Sequence, residues 1–344
     1  MEEYDIDMDF DIGMEVQERH YTERINFDAE GLAHKEKFRL TQEMVDYIEY
    51  RIGEDLRHAT SRSHALSPRQ QIHLCLRFLS GNAFYHINGD ALGVHKSSVC
   101  RAIHSVVAAI NETLLSEFVH FPTNAAGVQQ QFFAMSGMPN VCGVPVMDGT
   151  LIKIQAPKEN EHQYVDRHGN HSINALFVCG PDLDFYFCSA QYPGSVHDAR
   201  VLRNSALQQI YDIGWRPSPF GYLLGDSAYP CHDWLIPHVR FPVTEAERNF
   251  NIAHKSTRSV IERSFGVLKQ RFSVLNTPLR VKSPQFACEI VKACSVLHNM
   301  CIRFMPLPLD IPEFHDGDNI PEENVQNEEN IQGRQHLINY FANL

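Results

Sequence analysis

The stretch Gly221-Tyr-Leu-Leu-Gly-Asp226-Ser-Ala-Tyr-Pro230 decides the fold. Tyr222, Leu223 and Leu224 make a short apolar run that stops at Gly225, and the residues after Asp226 favour a turn. This reads as a buried strand that delivers a carboxylate at its C-terminal end. Aspartate is a poor strand former and costly to bury alone, so Asp226 requires a hydrogen-bond partner, a cation or water. Working outward, Val141 to Met147 has the same build and runs into Asp148-Gly149-Thr150. A third acid, Glu262, sits within Arg258–Phe272, where Ile261, Phe265, Leu268 and Phe272 form a helical stripe. Glu262 lies beside that stripe, with Gly266 and Lys269 further along its own face. Taken singly, each acid has a plainer account. The aspartates precede small residues as turn residues do, and Glu262 is an ordinary solvated helix residue. Taken together, two strand-end aspartates and a helical glutamate make a carboxylate cluster suited to divalent Mg²⁺ or Mn²⁺.

Around these acids the chain alternates between strand and helix signals. Val141–Met147, Leu151–Gln155, Ile173–Cys179, Phe185–Ala190 and Tyr222–Gly225 are short and apolar, with a hairpin turn expected at Pro181–Asp184. Pro193-Gly-Ser-Val-His-Asp198 starts a helix with Ser195 as its N-cap. Asp198 is either a fourth metal ligand or a residue that completes that helix's first turn. A last helix is expected around Pro284–Phe304. Strands followed by crossing helices make an α/β domain.

The segment before it is helical. Met44, Val45, Ile48, Ile52 and Leu56 form one stripe, and Ser67-Pro68 opens a helix that ends at Gly81. A short helix, a glycine at the turn and a longer helix over Val94–Ile110 then make a helix-turn-helix candidate. Val99, Ile103, Val106, Val107 and Ile110 would face inward, leaving Lys96, Ser97, Ser98, Arg101 and His104 outside near the end that enters the major groove in such readers. A plain helical bundle with a solvated polar face explains the same pattern equally well.

The net charge of −12 says little about partners, because the acid is gathered at the ends. Residues 1–18 carry eight acids and no Lys or Arg, and residues 310–344 carry eight acids against Arg334, so residues 19–309 come out at +3. A mildly basic body is compatible with a polyanionic partner. The acidic first residues are unlike a signal or transit peptide, and no apolar run is long enough to span a membrane. Nine cysteines without a C-x-x-C pair imply free, mostly buried thiols in a reducing compartment. Cys231-His232 and His298…Cys301 match no familiar zinc spacing and read as core residues.

Asp148-Gly-Thr, Gly194-Ser-Val-His-Asp198, Leu224-Gly-Asp226-Ser-Ala-Tyr-Pro230 and Ile261-Glu262-Arg-Ser-Phe-Gly-Val-Leu-Lys269 occur in that order. Tyr164-Val-Asp-Arg167-His-Gly169 and Val296-Leu-His-Asn299 accompany them. With these motifs the chain resembles the PIF/Harbinger transposase superfamily from about residue 40 to 305. In length and layout it is similar to the host-domesticated branch, the Harbinger transposase-derived nucleases. It departs from many members at Leu151, where they have His, and at Ala228, where they have Gly. Neither change removes an acid.

The resemblance implies a ribonuclease H-like DDE catalytic domain behind a helix-turn-helix. It makes Asp148, Asp226 and Glu262 the catalytic and metal-holding acids, with 35 residues between the last two. On this reading residues 1–36 are an acidic flexible tail, 37–125 a helix-turn-helix-like DNA-binding region, 140–305 the nuclease domain and 306–344 an acidic tail. Pro306, Pro308 and Pro312 would keep that last tail extended. The implied function is a metal-dependent DNA endonuclease of transposase descent, using two metal ions to hydrolyse phosphodiesters. Its alternatives are a domesticated DNA-binding scaffold without useful turnover and a still-active transposase. Arg258 and Lys269 are suitably charged for DNA phosphates. The family further implies a Myb/SANT-like partner that aids DNA binding and nuclear import, and a location in nucleus and cytoplasm. Two physical expectations follow. Removing one of three mutually repelling acids should raise stability in the absence of metal. A chain cut to residues 37–305 should stay folded if neither tail packs on the core.

Overall fold

A computed structural model describes residues 31–60, 64–146, 151–227, 229–305 and 332–343. Helices open the chain: α1 (Gly31–Phe38), α2 (Gln42–Ile52), α3 (Pro68–Gly81), α4 (Tyr85–Asp90), α5 (Lys96–Phe118) and α6 (Ala125–Ser136). Local chemistry sets their starts. Ser67 Oγ accepts from Gln70 N at 3.2 Å while Gln70 Oε1 accepts from Ser67 N at 3.1 Å, a capping box that satisfies two otherwise orphaned donors. The expected stripe of α2 is buried at Met44, Val45, Ile48 and Ile52, and that of α5 at Val99, Ile103, Val106, Val107 and Ile110.

Six strands follow: β1 (Val141–Val146), β2 (Ile152–Lys153), β3 (Ser172–Cys179), β4 (Phe185–Pro193), β5 (Tyr222–Gly225) and β6 (Leu235–Pro237). Between β4 and β5 lie α7 (Asp198–Arg203) and α8 (Ala206–Asp212), and after β6 come α9 (Glu245–Arg271), α10 (Pro284–Phe304) and α11 (Gln332–Ala342). β3 carries β4 along one edge and β1 and β2 along the other, all antiparallel to it. On the far side of β1, β5 and then β6 add in parallel. The mixed sheet β4-β3-β1-β5-β6, with helices packed on it, is consistent with a ribonuclease H-like fold. Every residue of β3 is buried, as in a strand covered on both faces.

One hydrophobic cluster runs from Phe38 through the sheet to Met305 and Phe341, so the helical region shares its core with the strands. Asn299 on α10 joins them. Its Nδ2 donates to Phe118 O at the end of α5 and to Phe185 O on β4, both at 2.7 Å, and its Oδ1 accepts from Phe185 N at 2.8 Å. Beside it His298 Nε2 bonds Leu183 O at 2.8 Å in the β3–β4 turn. The Val296-Leu-His-Asn299 motif is therefore a clamp. Seven of the nine cysteines, Cys231 and Cys301 among them, are buried and all nine are free, as their pattern led us to expect.

The structure corrects several expectations. Ser195 does not cap α7; His197 holds that position, and Ser195 Oγ donates to Gln163 O at 2.6 Å. α9 starts thirteen residues before the expected Arg258, at a second capping box made by Thr244 and Glu247. The tails are not wholly unpacked. His34 and Phe38 of α1 are buried, with His34 bonded to Leu40 O and His73. α11, inside the expected acidic tail, buries Leu337, Ile338 and Phe341, and the Phe341 ring lies 6.2 Å from that of Phe250 on α9. Apolar spacing on a short helix outweighs the acidic composition of its surroundings. Residues 1–30 and 306–331, with the prolines expected to extend the chain, lie outside the described residues.

Candidate active site

β5 brings Asp226 to the C-terminal end of the sheet. Tyr222 to Gly225 are buried, and a Cβ on Gly225 would meet Leu235 and Tyr229 at 2.9 Å, so the strand closes tightly before the acid emerges. β1 runs parallel to β5, with Val141 opposite Tyr222 and Gly143 opposite Leu223, so both strands end on the same side of the sheet. That side is where open α/β sheets hold their ligands. Asp148 follows β1 in sequence and lies outside the described residues.

The Asp226 carboxylate is largely buried and has gathered donors and positive charge. Its Oδ1 accepts from Ser227 N at 2.6 Å, from Ser227 Oγ at 3.4 Å and from Arg258 Nη1 at 3.1 Å. Burial alone would raise its pKa. The Arg258 charge, the Ser227 amide and the charge of His238 outweigh burial and hold it below the usual carboxylate range. Asp226 is therefore ionised at neutral pH. Arg258, assigned from sequence to DNA phosphate, points instead onto this carboxylate, and its buried Nε has no acceptor among the described residues.

Glu262 lies four residues beyond Arg258 on α9, on the same helix face and about 6 Å further along the axis. It is exposed. Lys269, half-buried, follows at a spacing of seven on that face. α9 thus brings Arg258 to Asp226 and carries Glu262 one turn beyond it.

Asp198 opens α7, where its Oδ1 accepts from Asn174 Nδ2 at 2.8 Å; the same amide donates to Val196 O at 3.0 Å. Asn174 sits on β3 between Ile173, opposite Ile152, and Phe177, opposite Val146. Between those two pairings the chain passes through Asp148 in sequence. Sequence reasoning missed Asn174, although a polar residue inside the apolar run of β3 is a visible signal, because buried amides need partners.

Hard oxygen donors, one of them held ionised beside a cation, fit the chemistry of a divalent ion. Asp198, Asp226 and Glu262 are the expected ligands that lie among the described residues. Among the described residues no three His, Cys, Asp or Glu side chains gather closely enough to do so on their own. The pairing of Asp226 with Arg258 works against the expected gain in stability, because removing Asp226 would leave Arg258 without that partner.

The helix-turn-helix candidate is present as a helix pair. Val94 N donates to Gly89 O at 2.9 Å, and a Cβ on Gly89 would meet Val94 O at 2.2 Å, so the turn requires glycine there. Lys96, Ser97 and Arg101 are exposed at the start of α5, and Arg101 donates to the half-buried Ser98 Oγ at 3.1 Å. His104 is exposed too, as expected, but it is not free of the core. Its ring stacks on Phe286 of α10 with centroids 3.5 Å apart, and burial lowers its pKa. Among the described residues no helix is long and apolar enough to cross a membrane.

Residues 147–299 match the family described as DDE superfamily endonuclease. The chain is 35% identical over 267 residues to "Putative nuclease HARBI1" of Bos taurus, covering 76% of this chain and 75% of that one. The Homo sapiens protein of the same name is 34% identical with the same coverage. "Protein ALP1-like" of Arabidopsis thaliana is 24% identical over 79% of this chain and 71% of its own. No solved structure matches the chain.

Proposed function

We infer that this chain, which belongs to the Harbinger transposase-derived branch of the DDE superfamily endonucleases, is a metal-dependent endonuclease that hydrolyses DNA phosphodiester bonds. The observation that carries this reading is Asp226, held ionised at the end of β5 and reached by the α9 face that bears Glu262. Asp148, Asp226 and Glu262 are the carboxylates to which we assign metal holding and catalysis, with Asp198 as a further ligand oriented by Asn174. Bound there, Mg²⁺ or Mn²⁺ would activate the attacking water and neutralise the leaving oxygen of an in-line displacement.

The chain's own residues do the rest. Asp226, with its lowered pKa, acts as a charged ligand and does not donate a proton. Arg258 balances its charge in the free protein and is placed to take a phosphate oxygen when the carboxylate turns to another cation. Lys269 offers a second cation on the same helix face. Lys96, Ser97, Ser98 and Arg101 at the start of α5 serve as contacts to the DNA backbone. A Myb/SANT-like partner, and residence in nucleus and cytoplasm, belong to the same proposal.

The test is nicking of supercoiled plasmid by purified protein with Mn²⁺, alongside Asp226→Asn. Nicking by the native chain and none by the variant is expected. Equal nicking by both would sink the assignment. A second reading, a DNA-binding scaffold without turnover, is favoured by the arginine already seated on Asp226. It predicts DNA binding with no nicking under any divalent ion.

A further inference from the structure

β6 runs parallel to β5 with Gly225 opposite Pro237, so Asp226 and His238 leave the sheet side by side. From His238 the chain runs through Val239, Arg240, Phe241, Pro242 and Val243 to Thr244, the N-cap of α9. This loop is pinned at both ends. Val239 N donates to Asn251 Oδ1 at 2.8 Å, and Asn251 Nδ2 donates back to Val239 O at 2.7 Å. Val243 N and Thr244 N both donate to Glu247 Oε2 at 2.8 Å, and Arg248 Nη1 donates to Val243 O at 2.9 Å. In the middle Arg240 Nη2 donates to Ser227 O, the residue after Asp226, at 3.1 Å. Yet Phe241 is 85% exposed and Val243 79% exposed.

A backbone held this firmly, with its aromatic side chain bare, is a platform that presents the ring. We propose that Phe241 stacks on an unpaired nucleobase of the DNA strand whose phosphodiester lies at Asp226. The proposal rests on the nuclease reading above. A strand that reaches Asp226 passes the loop, since Arg240 ties the loop to the next residue. An aromatic ring accepts any base because every base has a π-face, while Arg240 and Arg248 on either side suit the phosphates. Of the loop's own acids, Glu247 is spent on the cap and Glu245 stands in the first turn of α9. A protein partner fits less well. Phe241 and Val243 are two side chains, far short of the ~800 Å² per partner of a standard interface.

The experiment measures binding of the full chain, in EDTA, to a fluorescent duplex and to the same duplex carrying a short single-stranded gap. The native chain should prefer the gapped DNA. Phe241→Ala should lose about fivefold or more on the gapped DNA and abolish the preference. Phe241→Trp should keep it, with indole fluorescence quenched by the gapped DNA. An exposed site predicts unchanged melting for both variants. If the native chain binds DNA and Phe241→Ala leaves the preference intact, the inference falls while the nuclease reading stands. If the native chain binds no DNA, both fall. If Phe241→Ala instead dissolves a dimer without changing DNA affinity, the surface joins two copies of the chain and the inference is overturned.

Discussion

Arg258 on α9 donates to Asp226 at the end of β5, with 3.1 Å between Nη1 and Oδ1, and both side chains are more than three-quarters buried. This pair, made by residues 32 positions apart, ties the longest helix to the strand end and supplies the positive charge Asp226 needs in the free protein. It also sets the sign of what happens when either partner is removed.

In EDTA, Asp226→Ala and Arg258→Gln are each expected to destabilise the fold by about 1–3 kcal/mol, because each strands a largely buried charge. Urea unfolding measures this. A gain in stability for Asp226→Ala would mean that repulsion among the acids dominates. Mn²⁺ should also stabilise Arg258→Gln more than the native chain, since no resident cation competes for the carboxylate.

Asn174 makes the role of Asp198 testable. Asp198→Ala should abolish nicking as completely as Asp226→Asn if Asp198 holds metal directly. Asn174→Ala, which leaves the carboxylate in place and removes its orienting amide, should reduce nicking about 10- to 100-fold. Near-native nicking by Asp198→Ala would reduce that residue to a part of the α7 turn.

Two kinds of exposed residue on α5 should separate DNA binding from packing. Lys96→Ala or Arg101→Ala should weaken DNA binding and make its logarithmic salt slope shallower by about one, with melting unchanged. His104→Ala should instead cost about 1 kcal/mol of stability through the lost stack on Phe286. Unchanged salt slopes would make the α4–α5 pair a structural bundle.

Cutting the chain after residue 305 removes α11 and exposes the α9 surface that it covers. Phe341→Ala alone is expected to cost about 3 kcal/mol, and the shortened chain more. Chemical denaturation of the three proteins checks this, and equal midpoints would show that α11 contributes nothing to the fold.

Acid should unfold the protein through histidines as well as carboxylates. Burial lowers His254 and His298 to about 3 and His73 to about 4, from an ordinary value of 6.5. Below pH 6.5 the unfolded chain binds protons that the folded chain refuses, so stability is complete above about pH 7 and falls as pH drops. Each such histidine contributes about 1.4 kcal/mol per pH unit in that window. Unfolding free energies at pH 7, 6 and 5 should therefore decline more steeply than in a His298→Gln variant.

Where local chemistry is strong, the amino-acid order was enough. The apolar run ending in Gly225-Asp226, the stripe Ile261, Phe265 and Leu268, and the Ser67–Gln70 box each act within one turn or one strand, and each lies where its pattern says. Elements whose reason lies elsewhere in the chain were not legible. β6 is three residues long and is a strand only because Leu235, Ile236 and Pro237 find β5. The first half of α9 buries Phe250, Ala253, His254 and Thr257, too few large apolar residues to show a stripe, because its cover comes from α6 and α11. α11 itself is short and sits beyond an acidic stretch. The same division runs through the site. Sequence singled out Asp226, Glu262 and Asp198 by residue type and motif order. Only the tertiary structure turned Arg258 from solvent onto Asp226, set Asn174 against Asp198 and brought the Phe241 loop beside the strand end. Those contacts join residues far apart in sequence, and their free energy comes from pairing charges and amides that burial has removed from water.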